Sequence, residues 1–227
     1  MRQIKSFILR SGRISNAQER SYIDGKIFLI PFSDKIIDFS MYFGNDNPVT
    51  IEIGFGMGYA TAEIAAANPG KNYLGIEVFK PGIGKLLWEI QQRNLSNIRI
   101  MEHDAAEVIE KMIPPASAAA FHLFFPDPWP KKRHHKRRLI QKPFAQLLAS
   151  RLEEKGYIYM VSDWENYAEQ ALEIFYEIPE LFNPHGRSFS PALSWRPKTK
   201  FEKKGMEKKH LIREIYYIKN AVGKLST

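Results

Sequence analysis

Between residues 49 and 178 the sequence changes its periodicity again and again. The short β-rich runs "VTIEI", "NYLGIEV", "NIRIMEHD", "AAAFHLFF" and "YIYMVSD" alternate with the helical runs "ATAEIAAAN", "PGIGKLLWEIQQRN", "AAEVIEKMI", "KPFAQLLASRLEEKG" and "ENYAEQALEIFYEI". Strand and helix in strict alternation with short links argue for a parallel sheet covered by helices on both faces. The run "AAAFHLFF" is apolar enough to be buried on both faces. Pro81 opens the second helical run near its first turn, where a missing N–H costs nothing. Gly156 stands where a C-terminal glycine would close the fourth helix. A last run, "LIREIYYIK", alternates well enough to close the sheet. One domain over residues 46–227 is expected. Residues 1–45 lack clean periodicity and carry Arg2, Lys5, Arg10, Arg13 and Arg20. They are expected to form an N-terminal extension on or near a partner surface.

The charge narrows the partners. The chain has 227 residues with 33 Lys+Arg against 25 Asp+Glu, a net charge of +8. A basic balance favours an anionic partner, and clustering strengthens that reading. The chain has no cysteine, which excludes disulfides, thiolate zinc sites and a Cys nucleophile. The opening "MRQIKSFILRSGR" has an apolar run too short for a signal peptide. No segment approaches the roughly 20 apolar residues that span a bilayer. A cytoplasmic protein without membrane contact is expected.

In open α/β sheets ligands bind beyond the carboxyl ends of the strands. The first such end reads "IEIGFGMGYA", with Gly54, Gly56 and Gly58; Tyr59 stands where a dinucleotide fingerprint has its third glycine. A glycine loop alone is equally well a tight strand-to-helix turn. Three carboxylates change its meaning. Glu52 precedes the loop directly, where a pyrophosphate would be repelled and a cationic ligand attracted. Glu77 ends the second strand, where an acid can accept from ribose hydroxyls. Asp104 ends the third, suitably placed for the amino group of an adenine. Together they describe a nucleoside that carries positive charge and no phosphate, which fits S-adenosylmethionine. The order acid-x-Gly-x-Gly-x-Gly resembles the class I methyltransferases, which implies a Rossmann-like α/β fold with a mostly parallel central sheet of about seven strands.

The fourth strand end, "FPDPWPKKRHHKRR", joins a lone carboxylate, Asp127, to six Lys/Arg and two His. Here the chain closely resembles the bacterial tRNA (guanine-N7-)-methyltransferases of the TrmB type. The likeness covers nearly the whole chain: "IKSFILRSGRISNAQ", "IEIGFGMG", "GIEVFKPGIGKLL", "HDAAEVI", "FPDPWPKKRHHKRR", "SDWENYA" and "RPKTKFEKKG". The resemblance implies that Glu52, Glu77, Asp104 and Asp127 contact S-adenosylmethionine, with Asp127 also catalytic. It implies that Lys131, Asp163, Thr199, Lys200, Phe201 and Glu202 hold the substrate guanosine. The run Arg133, His134, His135, Lys136, Arg137 and Arg138 would meet tRNA, and the methylated base would be guanine 46 of the variable loop. The chain departs from the pattern at Lys209, where Gly is expected before His210.

Alternatives stand beside several of these roles. Lys131 is a donor to guanine O6 or one more phosphate contact. Asp163 extends the row of strand-end acids or caps the helix that follows. Thr199 and Glu202 spell T-x-x-E, which is also a capping box; the resemblance favours base binding. His134 and His135 are adjacent and point apart, so no metal site is expected. A methyltransferase of another substrate class is disfavoured by the basic run and the Thr-Lys-Phe-Glu segment. A non-enzymatic RNA-binding protein is disfavoured by the intact loop and acids. A monomer is favoured over a homodimer.

Overall fold

The computed structural model of the chain describes residues 12–198, 202 and 211–220. Its sheet contains β1 (Val49–Ile53), β2 (Asn72–Glu77), β3 (Ile98–Glu102), β4 (Ala118–Phe124), β5 (Leu152–Ser162), β6 (Leu181–Phe182) and β7 (Arg213–Lys219). The strand order is β3-β2-β1-β4-β5-β7-β6. Pairing is parallel from β3 through β5, and β7 runs antiparallel to both β5 and β6. The helices among the described residues are α1 (Asn16–Asp24), α2 (Phe39–Phe43), α3 (Tyr59–Ala67), α4 (Lys80–Gln92), α5 (Ala105–Lys111), α6 (Lys142–Arg151) and α7 (Glu165–Tyr176). The strand–helix alternation read from the sequence is present, and the sheet carries helices on both faces.

The two faces differ in chemistry. Strand side chains alternate, so Ile51 and Ile53 share a face with Leu74, Ile76, Phe121, Leu123, Ile158, Met160, Ile215 and Tyr217. These pack with α5, α6 and α7 into the larger core. The opposite face carries Glu52, Tyr73, Glu77, His122, Phe124, Tyr157, Tyr159, Glu214 and Tyr216. Over β1, β2 and β3 it is covered by α3 and α4, with Ile64, Ile83, Leu86, Leu87 and Ile90 buried there. Over β4, β5 and β7 it is aromatic and polar.

Residues 12–45 pack along the domain itself. Ser15 and Gln18 form a capping box that starts α1. The Gln18 side chain donates to Pro81 O at 2.9 Å. Ile30 N–H donates to Ile100 O at 2.8 Å, extending the β3 edge, and Ile30, Ile37 and Phe43 are buried in the larger core. This packing is hard to see in the sequence because α1 buries one residue of its own, Ser21, and so has no apolar stripe.

Gly156 does not end a helix. α6 stops at Arg151 and Leu152 already starts β5. Ala118 pairs with Leu152 whereas Ala120 pairs with Tyr157, so the stretch between is bulged out of register. A Cβ on Gly156 would lie 3.0 Å from the carbonyl oxygens of Ala118 and Glu153. The glycine serves a close backbone approach at the bulge.

Gly84 fixes how tightly α1 and α4 meet, since its Cβ would lie 2.8 Å from Gln18 Cβ and 3.0 Å from Gln18 O. Gly84→Val is therefore expected to push α1 off α4. Amide hydrogen exchange should accelerate across residues 16–24 while β1 and β4 stay protected.

Candidate active site

The strand order reverses between β1 and β4, and both strands end in chemistry-bearing residues. Glu52 lies in register with Gly75 on β2 and His122 on β4. It is 3% exposed. Burial lifts its carboxyl from 4.5 to about 7; the neighbouring Glu77 charge adds to the rise and the Thr61 hydroxyl works against it. Among the described residues no ion-pair partner faces it. A buried carboxylate in that state is poised for a cation.

The loop after β1 is glycine-built for steric reasons. Gly54, Gly56 and Gly58 have φ of 73°, 57° and 71°, the left-handed region that side chains avoid. A Cβ at Gly54 or Gly56 would meet nothing within 4 Å, so the loop borders open space. Behind the loop contact is close: a Cβ on Gly82 of α4 would come 1.8 Å from Gly56 O. Gly82 was not singled out in the sequence. The signal for it was a glycine placed inside a helical run, directly after Pro81.

Glu77 holds this loop in place. Its Oε2 accepts from Gly56 N–H at 2.9 Å, and its Oε1 accepts from the N–H groups of Val78 at 2.8 Å and Phe79 at 3.1 Å. An ionised carboxylate has about four acceptor sites, so capacity remains for a ligand hydroxyl. Asp104 is the N-cap of α5, its Oδ1 accepting from Ala106 N–H at 2.9 Å. The same rim gathers side chains from the N-terminal segment. Phe32 stacks on His103 with centroids 3.6 Å apart, and Tyr22 donates to Glu102.

Asp127 is exposed beyond the end of β4. Phe125 (φ 54°) and Trp129 (φ 43°) bracket it in a conformation bulky residues rarely adopt. Such backbone persists where surroundings over-determine it, typically at functional sites. Asp163 is half-buried beyond the end of β5. The N-cap of α7 is Trp164, with no side-chain cap bond. Asp163 is therefore not itself the N-cap residue of α7.

The basic run folds as a 3-10 helix, Lys132–Arg137. Three residues per turn sort the run into columns. Arg133 and Lys136 are exposed, as are Lys131 and Lys132. His134 and Arg137 both lie against the Trp129 ring, at 5.8 and 5.0 Å from its centroid. His135 and Arg138 point inward and meet at 3.0 Å. Arg138 is 2% exposed and departs from the expectation that the whole run faces RNA. Its guanidinium donates to Pro128 O at 2.8 Å, Gln170 Oε1 at 2.5 Å and Asn166 Oδ1 at 3.0 Å. It pins the base of the run to α7.

Glu202 is buried, its carboxylate turned to Arg196. Thr199, Lys200, Phe201, Lys209 and His210 lie outside the described residues. Among the described residues no group of three or more His, Asp or Glu is arranged to hold a metal ion, and no helix is long and apolar enough to cross a membrane.

A mostly parallel sheet of this strand order, with a glycine loop and acids at its reversal point, has the class I methyltransferase fold. Solved structures agree on the fold. A 30S ribosomal A1408 methyltransferase from an uncultured bacterium aligns with a TM-score of 0.51 at 15% identity, over 82% of this chain and 96% of its own. A precorrin-6y C5,15-methyltransferase from Geobacter metallireducens aligns at 0.52 and 10% identity, over 93% and 94%. A family model described as "Putative methyltransferase" matches residues 46–215. The tRNA (guanine-N(7)-)-methyltransferase of Paraburkholderia xenovorans is 47% identical over 98% of this chain and 85% of its own length. That of Burkholderia cenocepacia is 48% identical over 97% and 86%. The chain belongs to the tRNA (guanine-N7-)-methyltransferase family, of TrmB type, and is a transferase.

The state of Glu52 gives a stability test. Its folded pKa of about 7 lies above the ordinary 4.5, so the folded protein loses stability as pH rises through that interval and bears the full cost above it. Glu52→Gln should make the ligand-free protein more stable by about 3 kcal/mol near pH 8 and leave it similar to the parent near pH 4. Denaturant unfolding at both pH values measures this.

Proposed function

We propose that the chain transfers a methyl group from S-adenosylmethionine to N7 of a guanine in tRNA, by resemblance guanine 46 of the variable loop, forming 7-methylguanosine in the cytoplasm. The observation that carries this reading is 47% identity over 98% of the chain to a protein named for that reaction. The strand ends support it independently.

The residues present fit the cofactor. Gly54 and Gly56 border open space where a side chain would intrude, and Glu52 is a buried acid with no ion-pair partner among the described residues, suited to a cationic ligand that brings no phosphate. Glu52 would face its positive charge, Glu77 its ribose and Asp104 its adenine, with Asp127 at the β4 end closing the site. Once bound, S-adenosylmethionine supplies an electrophilic methyl carbon and leaves as S-adenosylhomocysteine.

The chain's own part follows from the chemistry of the acceptor. Guanine N7 has an in-plane lone pair and no proton, so no side chain has to act as general base. The base gains positive charge instead. Catalysis then consists of aligning N7 and balancing that charge. Asp127 can accept from the guanine N1–H or amino group and offsets the charge arriving on the ring. Lys131, exposed four residues on, donates to O6 or to a phosphate. Asp163 at the β5 end, with Thr199, Lys200 and Phe201, would complete the base pocket. Lys132, Arg133 and Lys136 grip phosphates and set which base reaches the pocket.

Three outcomes are expected. Unmodified tRNA incubated with methyl-labelled cofactor, then digested to nucleosides, should carry label in 7-methylguanosine; label in any other nucleoside overturns the reading. Asp127→Ala should lower turnover by about 100-fold or more while tRNA affinity stays within about threefold, as seen in single-turnover rates and filter binding. Lys136→Ala should weaken binding of all tRNAs alike and flatten the slope of log affinity against log salt by roughly one.

A further inference from the structure

The segment that carries Asp127 has few anchors of its own. Pro126, Pro128 and Pro130 have no N–H to donate. Phe125 N–H still donates to Val161 O on β5 at 2.8 Å. Beyond it the fold takes hold of the segment at Pro128 O, which accepts from Arg138 Nε at 2.8 Å. The same guanidinium donates to Asn166 and Gln170, one turn apart on α7, and meets His135 Nε2 at 3.0 Å. Arginine can only donate, so the His135 ring nitrogen is the acceptor there. The guanidinium also lies over the Tyr167 ring, 5.0 Å from its centroid, and the Tyr167 hydroxyl accepts from Ile140 N–H at 3.1 Å. Burial raises the pKa of the Tyr167 phenol; Arg138 works against the rise and the Asp127 charge adds to it. Asp127 therefore stands within electrostatic reach of this cluster.

The acceptors of Arg138 are all neutral, and among the described residues no carboxylate pairs with it. A desolvated cation without a counter-ion is poor support for stability. What it supplies is a fixed relation between points of the chain. At 2% exposure Arg138 is too deeply enclosed to grip a phosphate. An ion pair with Asp127 would have used up the carboxylate. Arg138 instead holds the carbonyl one residue further on and leaves the acid exposed. Its other partners belong to α7, which starts at Glu165, two residues after Asp163. The acids beyond β4 and β5 are thus referred to one helix. Phe125 and Trp129, both at positive φ, flank the held stretch, and such backbone persists only while its surroundings restrain it. We propose that Arg138 is a positioning residue for methyl transfer rather than an RNA contact: through Pro128 O it fixes where the Asp127 carboxylate stands relative to α7. This rests on the assignment of Asp127 to the reaction.

Arg138→Lys keeps the cation but lacks the planar fork that reaches Pro128 O and α7 together. Replacing both Asn166 and Gln170 by Ala removes the α7 acceptors instead. Asn166 is exposed and Gln170 half-buried, so this variant keeps the test open should Arg138→Lys not fold. Each variant should lower kcat at saturating tRNA and cofactor by about tenfold or more, because a displaced carboxylate no longer meets the acceptor base in line. Affinity for tRNA by filter binding should stay within about threefold and keep the parental salt slope, which loss of a phosphate contact would flatten by roughly one. In an Asp127→Ala background, Arg138→Lys should cost no more than about twofold in single-turnover rate, since nothing is left for it to position. A merely structural defect would multiply with the Asp127 loss. Parental kcat in either folded variant overturns the proposal. So does a flattened salt slope, or a loss that multiplies in the double variant. Asp127→Ala at the parental rate removes the role of Asp127 and the proposal with it; a slow Asp127→Ala beside a parental Arg138→Lys refutes the positioning role alone. Product nucleosides from the parent are identified in the same assay. A parent that labels another base refutes the guanine-N7 reading, while the double-variant ratio still decides the role of Arg138.

Discussion

A carboxylate buried at the point where the strand order reverses governs the layout of this protein. Glu52 is held out of water beside a second acid, Glu77, and burial raises its pKa to about 7. Such a group is costly unless a cation completes it. Its neighbourhood is arranged around that need. The loop beside it is glycine, so that backbone rather than side chains borders the space. Glu77 accepts three backbone N–H groups and so keeps the loop in one conformation. α4 presses Gly82 against Gly56 from behind. An apolar residue at position 52 would relieve the cost and remove the reason for the rest.

The contrast between the two sheet faces follows from the same division. The face under α5, α6 and α7 is an ordinary aliphatic core whose packing sets the strand positions. Among the described residues no such layer covers the other face over β4, β5 and β7. That face carries His122, Tyr157, Tyr159 and Tyr216, and it is closed by Trp195 and by the ion pairs of Arg196 with Glu202 and Glu214. His122 is fully enclosed and held neutral, burial depressing its pKa to about 3 and the Lys71 charge adding to that. Polar interiors demand satisfied partners and specify a single arrangement more strictly than aliphatic ones. The chain has placed its permissive packing on one side of the sheet and its exacting packing on the side where ligands are handled.

Much of this was legible in the sequence, because strand ends announce themselves. A β-run stopped by glycine or an acid marks both the element and the position of its last side chain, which is how Glu52, Glu77, Asp104 and Asp127 stood out. Other features have no local mark. α1 buries one side chain of its own, so no apolar stripe betrays it. Gly156 looks the same in letters whether it closes a helix or relieves a bulge, and the register of β4 against β5 decides. Within "KKRHHKRR" every residue is basic, so the three-residue period that turns Arg138 inward is invisible. The letters T-x-x-E around Glu202 suggested a base contact or a cap. The partner that the structure supplies, Arg196, lies six positions back at a distance no helical spacing predicts.

Two glycines two residues apart on α4 place it between unlike neighbours. At Gly82 the helix backbone touches the carbonyl of the glycine loop, and at Gly84 it touches α1. The loop meets Gly82 through backbone atoms, and α1 meets Gly84 through the Cβ and carbonyl oxygen of Gln18, which no rotamer change moves away. Soft interfaces absorb small displacements by changing rotamers; contacts made by backbone and Cβ atoms do not. The loop and the N-terminal helix are therefore two surfaces of one stiff wall. The position of the glycine loop is thus tied through α4 to the position of α1.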